Sequence, residues 1–133
     1  MRDCVFCKIV SGEIPSMKVY EDDLTLAFMD IAQDVDGHIV VIPKKHSKNV
    51  LDCDEDSLFA VAKTVKTIST HLTDRCGYEG VNLLNASDES AGQSVPHFHI
   101  HIIPRNQNDK IDAWPRFDGA MQDIQEMYEK IRM

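Results

Sequence analysis

The chain has 133 residues and a mass of 15.1 kDa, enough to bury one proper core. Hydrophobic residues make up 43% and charged residues 27%, the balance of a globular chain, and a net charge of −8 argues against a surface built to coat nucleic acid. The opening "MRDCVFCKIV" has no long apolar run behind a basic segment, so no signal peptide is expected. No stretch approaches the roughly 20 apolar residues of a membrane span, which makes cytoplasmic residence the expectation.

No repeat, low-complexity tract or linker divides the sequence, so residues 1–133 read as a single domain. "VFCKIV" (5–10), followed by Ser11 and Gly12, suits a short helix with a glycine stop. "MKVYED" (17–22) and "LTLAFMD" (24–30) are β-rich runs that predict a hairpin through Asp22 and Asp23. "HIVVIP" (38–43) is a third strand, closed by Pro43. Leu58, Val61, Val65, Ile68 and Leu72 then recur at three-and-four spacing, the mark of an amphipathic helix. Asp54, Glu55 and Asp56 favour its positive N-terminal end, and Gly77 can stop it. "GVNLLN" (80–85) and residues 95–103 complete a set of five strands, and Ile124, Met127, Tyr128 and Ile131 mark a last helix. Strands without regular helical crossovers predict an α+β fold, an antiparallel five-stranded sheet with helices packed on one face.

Half of the chain's 6 histidines fall within "HFHIH", residues 97–101. Side chains alternate along a strand, so His97, His99 and His101 share one face, while Phe98, Ile100 and Ile102 share the other. The imidazoles would stand about 6.5–7 Å apart. A solvated polar face is an ordinary setting for one histidine but a poor account of three in phase. They can bind a metal ion, or they can perform nucleophilic and acid–base work on an anion. Upstream, "NASDESAGQS" (85–94) is a small, polar loop in which Gly92, Gln93 and Ser94 offer backbone N–H groups and a hydroxyl to an oxyanion. A phosphate cradle that leads into a row of histidines points to phosphoryl or nucleotidyl transfer.

Of the 4 cysteines, Cys4 and Cys7 form a C-x-x-C pair, while Cys53 and Cys76 stand alone and read as small, partly buried thiols. Disulfides are not expected in a cytoplasmic chain. The C-x-x-C pair is half of a tetrahedral zinc site, a redox pair without its usual βαβ setting, or two unpaired helix thiols.

The residues "HFHIHII" (97–103), with "GHIVVIPKKH" and "AGQSVPHFHIHIIPR", resemble the histidine-triad (HIT) superfamily of nucleotide hydrolases and transferases. The likeness runs over most of the chain and is weakest in the last thirty residues. It is greatest to the branch of small nucleoside-phosphoramidate hydrolases and their bacterial relatives. The resemblance implies that His99 attacks the α-phosphorus of a purine nucleotide and forms a covalent nucleotidyl-imidazole. His101 would bond a phosphoryl or bridging atom, His38 would orient the nucleophile or aid proton transfer, and Ser94 with the Gly92 amides would complete the cradle. Asp30 would accept from the ribose hydroxyls, Asn85 would stand beside the phosphate, and Phe6, Ile9, Phe28 and Ile31 would form the base pocket. Bacterial members also imply a structural zinc on Cys4, Cys7, His46 and His97, with no catalytic metal required, and a homodimer whose two sheets join into one. Rival readings are a hydrolase that uses the triad as metal ligands, a dinucleoside polyphosphate hydrolase, and a non-catalytic nucleotide-binding protein.

Overall fold

Apolar residues on both faces of the second and third strands decide the architecture. The computed structural model describes residues 3–133; the first two positions of the expected domain lie outside the described residues. Five strands, β1 (Lys18–Glu21), β2 (Thr25–Met29), β3 (Ile39–Pro43), β4 (Gly80–Leu84) and β5 (Ile100–Arg105), form one sheet in the order β1-β2-β3-β5-β4. Every neighbouring pair is antiparallel. The fold is α+β, as the strand pattern predicts, and the hairpin turns through Asp22 and Asp23.

The helices do not all pack on one face. α2 (Glu55–Asp74) lays Val61, Val65, Ile68 and Leu72 against Ala27, Val41, Phe98 and Ile102. α1 (Val5–Val10) covers the opposite face, with Phe6 and Ile9 packed on Leu26, Phe28, Val40 and Ile42. The reason is in β3, all five residues of which are buried. A strand that is apolar on both sides needs cover on both. Each large side chain so buried contributes about 1.5–3 kcal/mol.

Local chemistry sets the ends of α2. The Asp54 carboxylate accepts the Ser57 N–H at 3.1 Å, Glu55 and Asp56 occupy the first turn, and Gly77 turns the chain away at φ 83°. Within the buried stripe, Thr64 shares a 2.7 Å hydroxyl hydrogen bond with Thr25 of β2, so neither polar group is stranded in the core. α3 (Ile124–Ile131) forms where predicted, but none of its residues is buried.

The fifth strand is displaced from its predicted bounds. β5 begins at Ile100, so His97 and His99 precede the ladder. Their backbone groups bond elsewhere: the His97 N–H donates to the Val95 carbonyl, Phe98 N–H to that of Ser47, and the His99 carbonyl accepts from Asn85. The alternation of faces nevertheless persists. Phe98, Ile100 and Ile102 lie with the α2 core, while His97 and His99 pack against Phe6 of α1.

Candidate active site and a cysteine–histidine cluster

His99 is buried, and its ring is fixed by the segment that leads into β5. Its Nδ1–H donates to the His97 carbonyl at 2.7 Å, because a carbonyl can only accept. The neutral ring therefore carries its lone pair on Nε2. Burial lowers the pKa of His99, which keeps that lone pair free of a proton near neutral pH. From the end of β4, the Asn85 amide donates to the His99 carbonyl at 2.8 Å, while its own Oδ1 accepts the Ser87 hydroxyl at 3.2 Å. Asn85 thus holds the backbone of His99 with one amide N–H.

The His101 ring lies edge-on to His99, with centroids 4.7 Å apart. Its Nδ1 is 2.8 Å from His38 Nε2. Burial, with help from the charges of His99 and His38, pushes the pKa of His101 down to about 4. His38 stands just before β3 and Asp30 just after β2, with Asp30 Oδ2 3.6 Å from His38 Nε2. Gly37 permits this entry. Its φ is 77°, and a Cβ there would meet Pro104 at 2.9 Å. Donor atoms of Asp30, His38 and His101 lie within 4.8 Å of one another. The two ring nitrogens that face each other are 2.8 Å apart, closer than the roughly 3.3 Å between two nitrogens on one tetrahedral ion, which opposes their serving as metal ligands.

Beside these histidines opens an apolar cavity of about 250 Å³ whose walls include Phe6, Ile9, Phe28, Asp30 and Ile31. Every residue expected in the base pocket is there, although Ile31 is 88% exposed and forms only its rim. A second, polar cavity of about 330 Å³ is lined by Lys48, Asp88, Glu89, Gln93, Ser94 and Pro96. Ser94 is exposed, and Gly92 takes a left-handed φ of 94° after the short turn Glu89–Ala91. Gly92 and Gln93 differ from expectation, because their backbone N–H groups donate to the carbonyls of Glu89 (2.9 Å) and Asp88 (3.1 Å). The side chain of Gln93 is engaged too. Its amide donates to the carbonyls of Lys48 (2.6 Å) and Val95 (3.0 Å), and its oxygen accepts the Asp88 N–H at 2.8 Å. That side chain clamps the loop and is not free for substrate. A further cavity, about 580 Å³ between the β1–β2 turn and α2, is lined by no histidine or cysteine.

His97 faces a different set of partners. Its Nε2–H donates to the Pro43 carbonyl at 2.8 Å, which leaves Nδ1 without a proton. That bare nitrogen lies 3.3 Å from Cys4 Sγ, 3.5 Å from Cys7 Sγ and 3.2 Å from His46 Nδ1, and Cys7 Sγ is 3.3 Å from His46 Nδ1. Metal–N bonds of about 2.0–2.1 Å and metal–S bonds of about 2.3 Å give tetrahedron edges of about 3.3–3.6 Å between N and N or N and S. Four lone pairs converge at that spacing, and the second nitrogen of His97 is tied to a carbonyl, as in metal-bound histidines. The residues fit a four-coordinate ion.

A five-stranded antiparallel sheet flanked by helices on both faces, with a histidine row leading into a central strand, defines an α+β domain. The HIT domain family model matches residues 11–108, and the chain belongs to the HIT family. It is 48% identical over 104 residues to the Bacillus subtilis Protein hit, covering 78% of this chain and 72% of that one. It is 37% identical over 130 residues to the adenosine 5'-monophosphoramidase of Schizosaccharomyces pombe, covering 96% and 95%. A crystal structure from Streptococcus mutans UA159 superposes with a TM-score of 0.86 at 40% identity, over 98% of this chain and 82% of that one. A Zn-bound histidine triad protein from Mycobacterium smegmatis superposes with a TM-score of 0.78 at 33% identity, over 84% and 81%.

Proposed function

We propose that the protein hydrolyses a purine nucleoside phosphoramidate, or a related AMP-linked substrate, through a nucleotidyl-His99 intermediate. The observation that carries this reading is the tautomer of His99. Its Nδ1–H is committed to the His97 carbonyl, so the lone pair is on Nε2 of a ring that lies edge-on to His101 and to Phe6, one wall of the apolar pocket. In the first step Nε2 bonds to the α-phosphorus, the P–N bond breaks, and the leaving amine takes a proton from His101. In the second, water bonds to phosphorus, the Nε2–P bond breaks, and the water proton returns to His101. Splitting the displacement this way replaces one hard step with two easier ones. A bound phosphate anion offsets the burial that otherwise keeps His101 neutral.

Ser94 serves the phosphoryl oxygens in this reading, Asp30 the ribose hydroxyls, and Phe6, Ile9, Phe28 and Ile31 the base. The kinship with an adenosine 5'-monophosphoramidase supports the substrate class. Zinc held by Cys4, Cys7, His46 and His97 would hold α1 to the sheet and to the start of the triad. In this reading it lies outside the chemistry, because its four donors face one another. The protein would act as a cytoplasmic homodimer. β4 is an edge strand with Leu83 half exposed, available to extend the sheet with a second copy. Among the described residues, no helix is long and apolar enough to cross a membrane.

A chromogenic adenosine phosphoramidate assayed with EDTA tests the reading. Turnover that survives the chelator and disappears in His99→Ala is the expected result. Turnover that disappears with the chelator and survives in His99→Ala contradicts it.

A further inference from the structure

Asp34, in the loop between β2 and β3, takes no part in the chemistry described so far. Its Oδ1 accepts the His38 Nδ1–H at 2.7 Å and the Val35 N–H at 2.9 Å. His38 Nε2 in turn meets His101 Nδ1 at 2.8 Å. The loop is bent to achieve this, since Gln33 takes a positive φ of 53° and Gly37 one of 77°. A carboxylate joined through one imidazole to a second imidazole is a directed chain, and its protons can be assigned link by link.

An ionised carboxylate only accepts, so His38 carries its proton on Nδ1. The lone pair of neutral His38 is then on Nε2, and His101 must supply the proton between the two rings from its Nδ1. This leaves the Nε2 of His101 as its outward lone pair. When that nitrogen takes up a proton, the inner proton can shift from His101 Nδ1 to His38 Nε2. The cation then lies on His38, directly against Asp34. His101 keeps a donor proton on Nε2 while the charge rests where a carboxylate meets it. The other groups that face these rings are Asp30, 3.6 Å from His38 Nε2, and His99, 4.7 Å from His101 between centroids.

We propose that Asp34 is a positioning residue for the reaction: through His38 it fixes the tautomer of His101 and stabilises the proton that His101 gives to the leaving group. The inference rests on the nucleotidyl-histidine reading above and adds to it the group that holds His101 in its donating tautomer. In support, the His38 imidazole N–H holds the Asp34 carboxyl below the usual carboxylate range. The Asp34 side chain is 56% exposed, so solvent weakens its field, and its effect is smaller than that of a buried triad carboxylate.

The test compares Asp34→Ala and Asp34→Asn on two AMP substrates, an alkylamine phosphoramidate and a p-nitrophenyl ester. The alkylamine must be protonated to leave, and p-nitrophenolate leaves without a proton. Both variants should lose about tenfold in the single-turnover rate of the first step on the amine, while KM on the amine and the first-step rate on the ester stay within about twofold. The far-downfield proton resonance of the imidazole N–H bonded to a carboxylate should vanish in Asp34→Ala. Equal losses on both substrates would make Asp34 merely structural, and an unchanged rate on the amine would remove it from the chain; either result overturns the inference while the role of His99 stands. A wild-type protein that cleaves neither substrate overturns the reading of the site, and this inference with it.

Discussion

His97 and His101 lie four residues apart on the same face of one segment, and their surroundings give them opposite uses. At His97 the Nδ1 is bare and meets two sulfurs and a third nitrogen, all at distances that leave room for a cation among them. At His101 the Nδ1 is protonated and meets a single nitrogen, with a carboxylate two links behind. The first cluster gathers lone pairs and the second threads protons. The difference arises from what faces each ring: α1 brings thiols, whereas the β2–β3 loop brings an imidazole and an acid. His99, between them, has its tautomer set by the carbonyl of one and its chemistry completed by the side chain of the other.

Breaking the catalytic side should have the largest effect. His99→Ala should lower kcat/KM by at least on the order of 10³-fold with little change in thermal stability, checked by steady-state kinetics and calorimetry. Breaking the other cluster should reverse that pattern. Cys4→Ala removes a buried donor beside His97, and the melting temperature should fall by roughly 10 °C with most of kcat retained at 20 °C.

The pH dependence of folding sharpens the comparison further. Burial holds His101 near a pKa of 4, against 6.5 for a free imidazole. The unfolded chain therefore binds a proton in this interval that the folded chain declines. Stability from this ring is intact above about 6.5, falls as pH drops, and is lost by on the order of 3 kcal/mol at pH 4. Denaturant titrations of the chelated protein at pH 7 and pH 4 should show at least that loss, since His97 is held near 4 by burial as well. The smallest effect belongs to Asn85, which holds the His99 carbonyl. Asn85→Ala should cost about 1 kcal/mol in stability and a few-fold in kcat.

Much of this molecule is legible in its residues, and the exceptions share a cause. Periodicity locates α2 because Val61, Val65, Ile68 and Leu72 carry a one-sided apolar pattern that only a helix can bury. The core strand β3 is equally plain, but its apolar character on both faces also foretells a cover on each, which the single-face expectation overlooked. Residue order also identifies the three histidines and the Cys4–Cys7 pair, yet it cannot say which nitrogen of a ring is bare. That depends on the carbonyls of Pro43 and His97, which any residue could supply. The backbone N–H of Gln93 looked like a phosphate donor because it sits in a small, polar loop; the Asp88 carbonyl takes that N–H, and Lys48 and Val95 tie down the side chain. Asp34 gave no signal at all. An acid four residues before a histidine reads as a turn, and only the bent loop brings its oxygen onto the ring.

The direct test of the account is peptide-mapped mass spectrometry of turnover mixtures quenched within the first catalytic cycles. A nucleoside monophosphate attached at His99, and absent from His101, is the result expected here. Rapid turnover with no adduct on that ring, together with an undiminished rate in His99→Ala, would contradict it.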